Sequence, residues 1–198
     1  MTQATTYTAP HVTGASGELD AAVVDACRAG DPAALRAFVV RYQRVVFAFL
    51  SRTLGAGYPI EDLAQEIFLR AFRALPRFDS AGSARPSTWL LTIASRLVAD
   101  ERRRRRLPTR PLDDAGDVPG PDTPETERRR AALRQALARA ASELPDVQRD
   151  VFVLVEFHGL DAREVGRVLG VPEATVKTRL FRARERLRAS LDGILEET

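Results

Sequence analysis

The sequence predicts an all-α protein: two small helical domains joined by an extended acidic linker. Three observations predict it. Apolar residues recur at helical spacing along both halves, with no strand-like alternation and no internal repeat. Pro108, Pro111, Pro119, Pro121 and Pro124 crowd into residues 107–127, a density that neither helix nor strand tolerates. Charge is segregated around that stretch: residues 18–106 hold 15 Arg against 10 acids, residues 107–127 one Arg against six acids, and residues 128–198 14 Lys/Arg against 11 acids. The boundaries that follow are a tail over 1–17, a first domain over 18–106, the linker over 107–127 and a second domain over 128–192.

The tail is rich in Thr, Ala and Gly, carries no charged residue and has no period, so it reads as disordered. A first helix is expected over Leu19–Ala29, closed by Gly30. Asp31 before Pro32 is a capping residue followed by Pro at the first helical position. Leu35, Phe38, Val39, Tyr42, Val45, Val46, Phe49 and Leu50 then continue a helix to about Leu54, which Gly55, Gly57 and Pro59 end. The next helix runs from about Ile60 to Leu75 and stops at Pro76. Another starts near Ser87, read as its cap after Pro86, carries Trp89, Leu90, Ile93, Leu97 and Val98, and ends in Arg102–Arg106. In the second domain, Arg128–Leu144 reads as one helix and Pro145–Gly159 as the next. Four helices of this size bury little surface, so this domain is expected to be only marginally stable.

Composition excludes several classes. Cys27 is the only cysteine, which leaves no internal disulfide and no Cys-based zinc site. His11 lies in the tail and His158 stands alone, so no metal site and no catalytic constellation is found, and no cofactor is expected. No apolar run reaches the ~18 residues of a membrane span, and the N-terminus lacks a basic-then-apolar leader. A cytoplasmic protein without membrane insertion is expected. The two net-basic blocks suit an anionic partner such as nucleic acid. Lys177 is the only lysine among 30 basic residues. Arg suits phosphate and guanine, but GC-rich coding explains that preference better.

Residues 161–188 carry the sharpest signal: a short helix, a tight turn at Gly170 and a long basic helix, the layout of a helix-turn-helix. On a wheel at ~100° per residue, Val176, Leu180, Ala183 and Leu187 form one stripe that must face a core. Ala174, Thr178, Arg182 and Glu185 lie opposite. Lys177, Arg184 and Arg188 flank that face on one side, and Thr175, Arg179 and Arg186 on the other. Small residues let a helix sit deep in the major groove, and Arg pairs with guanine through two bonds. Gly166 permits close approach between the two helices. A solvated basic helix is the plainer reading, but the Gly166, Gly170, Val171-Pro172 and Val176 pattern fixes the turn as well.

Two features of the first domain stand out. In helix 60–75, Ala64, Ile67, Phe68, Ala71 and Leu75 form the inward stripe, and Asp62, Gln65, Glu66, Leu69 and Arg73 the far face. An apolar residue ringed by polar ones has the form of an interface core and rim, although a stray exposed Leu is common. The next helix combines Trp89 with Arg96 and the Arg102–Arg106 run. Aromatic and Arg side chains together suit single-stranded DNA. Core packing for Trp89 and a solvated helix end for the Arg run are the plainer readings of each alone.

Over residues 18–192 the sequence resembles the bacterial sigma-70 family, in particular its small two-domain extracytoplasmic-function sigma factors. Residues 62–72 (DLAQEIFLRAF) are similar to the family's core-polymerase-binding segment. Residues 87–94 (STWLLTIA) resemble the start of its −10 segment, and Glu143-Leu-Pro145 with the helix-turn-helix its −35-reading domain. The resemblance implies sigma-2-like and sigma-4-like folds. It implies that Asp62, Gln65, Glu66, Leu69 and Arg73 dock on the clamp helices of the polymerase β′ subunit, the β subunit being a further contact. Ser87, Thr88, Trp89, Arg96, Arg102 and Arg103 would meet the −10 strand, capturing a flipped base. Glu173, Ala174, Thr175, Lys177, Thr178, Arg179, Arg182 and Arg184 would read the −35 duplex. The linker would thread toward the RNA exit channel. The implied function is to bind core RNA polymerase, direct it to promoters and help open the −10 region, with no bond made or broken by this chain. An anti-sigma factor is implied as a further partner.

The sequence departs from the family at Ile93-Ala94-Ser95-Arg96, where many relatives carry Asn in place of Arg96, and at Glu173 and Lys177. The base preferences of neither element carry over. A helix-turn-helix repressor or activator that binds duplex DNA alone is the alternative, disfavoured by residues 62–72 and the Trp89/Arg96 helix. A nuclease has no constellation to support it.

Overall fold

Three helices of the first module pack on a fourth, long one. The computed structural model describes residues 17–55, 57–79, 85–106, 140–141 and 143–196, and among these all regular structure is helical. Helix α1 spans Ala21–Arg28 and buries Val23, Val24 and Cys27. Helix α2 spans Pro32–Leu54. Asp31 caps it as expected, its carboxylate accepting from the Ala34 N–H at 2.7 Å. Phe38, Tyr42, Val46, Phe49 and Leu50 form its fully buried stripe. Helix α3, Ile60–Ala74, and helix α4, Pro86–Arg106, pack against α2 and against each other.

One boundary holds and one differs from expectation. Helix α3 ends before Pro76 as expected, with Leu75 its cap, and Pro76 itself lies in a 3₁₀ turn over Leu75–Arg77, closed by the Phe78 N–H on the Leu75 carbonyl at 2.9 Å. Pro tolerates the start of such a turn because its missing N–H has no partner to lose there. Ser87 is not the cap of α4. Pro86 is already helical, and the Trp89 N–H closes the first turn on the Arg85 carbonyl. The Ser87 hydroxyl donates to Glu18 instead.

The tail up to residue 16, the linker and most of the helix expected over Arg128–Leu144 lie outside the described residues. Helix α5 spans Asp146–Phe152 and widens into a π turn over Val153–Phe157, where the sequence suggests one regular helix. The wide turn carries the consecutive Val153 and Leu154 both into the core. Helix α6, Ala162–Leu169, opens with a capping box: the Glu164 N–H donates to the Asp161 side chain, and the Asp161 N–H to the Glu164 side chain. Gly170 closes α6 at φ 66°, the left-handed region that glycine enters freely. Helix α7 follows over Glu173–Glu196. At Gly166 a Cβ would stand 2.8 Å from the Val171 carbonyl oxygen, so the turn closes only over a bare backbone.

Among the described residues, most of the second module's core is continuous with that of the first. Val151, Val153, Leu154, Val165, Val168 and Val176 belong to the same buried cluster as the α2 stripe, and Ala140, Leu144, Ala183 and Leu187 form a separate one among the described residues. Helix α6 lies against α4. Polar contacts also cross the seam. Arg102 of α4 donates to the Thr53 carbonyl at 2.6 Å and to the Asp150 carboxylate at 2.9 Å. Arg149 donates to the same Thr53 carbonyl at 3.1 Å, and Arg85 reaches Glu164 at 2.8 Å. The marginal core expected of a small helical unit is thus supplemented by its neighbour.

His158 sits in this seam, its ring edge-on to Phe49 at 5.8 Å between centroids. Burial, with Arg52 adding its charge, lowers the imidazole from its ordinary 6.5 to about 4. The packed form therefore holds fewer protons than a chain with His158 in water. The contribution of this group is complete above pH 6.5 and is lost as pH falls toward 4. An NMR titration should find His158 neutral at pH 5; an ordinary midpoint near 6.5 would contradict its burial. Gly166→Ala should cost about 1–3 kcal/mol, because the Val171 carbonyl must move. An unchanged denaturant midpoint would show that the turn yields freely.

Candidate nucleic-acid and protein interfaces

Three surfaces collect the residues singled out in the sequence. On α3, Ala64, Ile67, Phe68, Ala71 and Leu75 are buried, which turns Asp62, Gln65, Leu69 and Arg73 to solvent. Leu69 is 49% exposed, among the few large apolar side chains so placed. Glu66 is half-buried, and the Arg70 guanidinium at 2.7 Å holds its carboxyl below the usual carboxylate range. Arg70 also lies 4.0 Å from Asp100 of α4. A groove of about 530 Å³ beside this face is lined by Asp62, Glu66, Asp100 and Glu101 among others. Arg70 and Arg104 line it too and pair with Glu66, Asp100 and Glu101.

On α4 the candidates divide. Arg96 and Arg103 are exposed. Trp89 is half-buried with its ring 4.8 Å from that of Phe78, leaving part of the indole accessible. Ser87 is engaged by Glu18. Thr88 is buried, 3% exposed, and Arg102 is buried between Thr53 and Asp150. Neither Thr88 nor Arg102 offers its side chain to a strand while the modules are packed. The reason is register: Arg102 continues the buried row of Leu91, Ala94 and Val98, which returns to one face every three or four residues.

On α7 the wheel holds. Val176, Ala183 and Leu187 are buried, and Leu180 packs against the core. Glu173, Ala174, Lys177, Thr178, Arg182 and Arg184 are exposed, and Thr175 and Arg179 partly so. Lys177 pairs with Glu173 at 2.6 Å. Arg184 pairs with Glu156 of the π turn at 2.6 Å rather than with an acid of its own helix. Arg188 does pair with Glu185, at 3.1 Å. Phe181 was not anticipated. It is 64% exposed beside Arg182, and its departure from the apolar stripe was the available signal. Among the described residues no three His, Cys, Asp or Glu side chains converge on a metal site, and no helix is long and apolar enough to cross a membrane.

A helix-turn-helix with an exposed basic face, packed against a helical module that exposes Leu69 among polar residues, is the architecture of a DNA-binding protein. Residues 38–107 match the family model of sigma-70 region 2, and residues 134–187 that of sigma-70 region 4. The chain is 31% identical over 193 residues to the RNA polymerase sigma-H factor of Pseudomonas aeruginosa, covering 91% of this chain and 97% of that protein. It is 33% identical over 176 residues to the ECF RNA polymerase sigma-E factor of Escherichia coli, covering 84% and 91%. The structure of CnrH, solved with the cytosolic domain of CnrY, superposes with a TM-score of 0.63 at 26% identity, over 87% of this chain and 96% of that one. RpoE of Bartonella quintana, solved with the anti-sigma factor NepR, shares the fold at a TM-score of 0.64 and 19% identity, over 79% and 96%. The chain belongs to the sigma-70 family and is a sigma factor of the extracytoplasmic-function type. The repressor alternative is set aside, because it has no account of the region 2 match.

Leu69→Asp places a charge in the apolar centre of the α3 face while leaving the buried stripe intact. Binding of core polymerase should fall by at least ten-fold with helicity unchanged. An unaltered affinity would remove α3 from the docking surface.

Proposed function

We propose that the exposed face of α3 docks on the polymerase, that α4 meets the −10 strand and that α7 reads the −35 duplex. The observation that carries this is the outward presentation of Leu69 among Asp62, Gln65 and Arg73, within the residues that match sigma-70 region 2. Asp62, Gln65, Glu66, Leu69 and Arg73 form the polymerase contact, toward the β′ clamp helices. Trp89, Arg96 and Arg103 are the first to meet the −10 strand. Ser87, Thr88 and Arg102 join only if the modules rearrange. On α7, Ala174, Thr178 and Arg182 enter the groove, flanked by Glu173, Thr175, Lys177, Arg179 and Arg184. Phe181 adds an apolar contact of the kind that suits a thymine methyl.

In this reading the polymerase performs the chemistry, and this chain supplies binding energy and base selection from the cytoplasm. An anti-sigma factor covering these faces is part of the proposal; CnrH, solved with the cytosolic domain of CnrY, supports a partner of that kind.

The test is run-off transcription with sigma-free core polymerase on sheared host DNA. New discrete transcripts that require the protein, with start sites sharing upstream elements, are expected. Their absence, with duplex binding by the protein alone, would overturn the reading. Arg182→Ala should weaken transcription from the preferred promoter by about 1–3 kcal/mol and relax selection at one −35 position. An equal loss on every sequence would make Arg182 a phosphate contact.

A further inference from the structure

Glu18 ties the segment before α1 to the first turn of α4. Its carboxylate accepts from the Tyr42 hydroxyl of α2 at 2.7 Å, from the Ser87 hydroxyl and, at 3.4 Å, from the Ser87 N–H. Leu19, the next residue, is buried, and its N–H donates to the same Tyr42 oxygen at 3.2 Å. Tyr42 is itself fully buried, so its ring fixes the place from which Glu18 reaches α4.

That contact matters because α4 starts without a local cap. Pro86 suits the first helical position, and the carbonyl of the preceding Arg85 accepts the first helical bond, from the Trp89 N–H at 2.9 Å. Ser, Thr, Asp or Asn is favoured where Arg85 stands, because a short side-chain oxygen reaches the free N–H groups of the first turn. Arginine has no acceptor to offer, and the Arg85 guanidinium is held by Glu164 at 2.8 Å. Glu18 supplies the missing acceptor from 69 residues away. Its negative charge is also favoured at a helix N-terminus. The turn so capped carries Ser87, Thr88 and Trp89, and its register sets the direction of the Trp89 ring, which leans on Phe78 at 4.8 Å.

We propose that Glu18 is a positioning residue for −10 recognition: by capping α4 from outside the helix, it fixes the first turn and the Trp89 ring in the form that captures the strand. This inference rests on the assignment of α4 to the −10 strand proposed above. Stacking on an aromatic ring gains most when the ring is already in place. Glu18 is not itself a strand contact. A carboxylate repels a phosphate backbone, so loss of its charge alone would strengthen strand binding, whereas loss of the cap weakens it. The sign of the effect separates the two.

The test has a spectroscopic and a functional arm. Trp89 is the only tryptophan of the chain, so acrylamide quenching of its fluorescence reports the first turn of α4 in the free protein. Glu18→Ala should raise that quenching at unchanged helicity, and Glu18→Gln, which keeps one acceptor oxygen, should raise it less. In the functional arm, promoters found by run-off transcription are opened by holoenzyme, and permanganate reads the unpaired thymines. Glu18→Ala should lower opening several-fold with the affinity for core polymerase unchanged, and Glu18→Gln should recover part of the loss. Glu18→Ala and Ser87→Ala together should lose less than the sum of the two single losses, because both act through one contact. Unchanged quenching, unchanged or improved opening by Glu18→Ala, or losses that simply add would overturn the proposal. Raised quenching in Glu18→Ala, with no promoter opened even by the unsubstituted protein, would uphold the cap and count against the −10 reading of α4.

Discussion

The relation between the two modules depends on the carboxyl end of α2. A helix leaves its last carbonyls without partners, and cations are favoured there. At Thr53 the carbonyl takes a guanidinium from each module, Arg102 at 2.6 Å and Arg149 at 3.1 Å. Two guanidiniums on one oxygen repel, and burial with Arg102 nearby lowers the pKa of Arg149. Asp146 and Asp150 offset that repulsion. Asp150 is itself raised by burial while Arg102 pulls it down. The group works as a set: removing one member strands a charge in a poorly solvated place, and such a loss costs more than the pair contributes.

This arrangement explains how the described part of the second module is held. Val151, Leu154, Val165 and Val168 belong to one buried cluster with residues of α2 and α4. The apolar burial supplies the bulk of the attraction, and the Thr53 cluster fixes its register. Arg149 also donates to the Ala141 and Leu144 carbonyls, so the same side chain ties the approach to α5 and anchors it to α2.

Local features were legible in the sequence because each follows from a rule confined to a few residues. Asp31-Pro32 starts α2, Gly170 ends α6, and the 3.6-residue repeat assigns the faces of α3 and α7. Leu69 stood out as an apolar residue on a polar face. What escaped depends on contacts distant in sequence. The π turn after α5 and the pairing of Arg184 with Glu156 leave no periodic trace. Ser87 carries the chemistry of a cap, but Pro86 is already compatible with helical φ and Glu18 competes for the hydroxyl. Arg102 sits in a run of five arginines that composition treats alike. Only the phase set by Leu91, Ala94 and Val98 separates it from Arg103.

That phase gives the proposed reading surfaces unequal standing. The outward face of α7 keeps Thr178, Phe181 and Arg182 in solvent while the modules are packed, so contact with a −35 duplex needs no rearrangement. On α4, Arg96 and Arg103 are exposed, the latter beside Asp100 at 3.4 Å, but Arg102 and Thr88 are buried. Single-strand binding gains from aromatic stacking together with cations along the backbone, and here Trp89 is half-covered and one cation is withdrawn. On the proposed roles, Thr88 and Arg102 reach the −10 strand only if the modules rearrange.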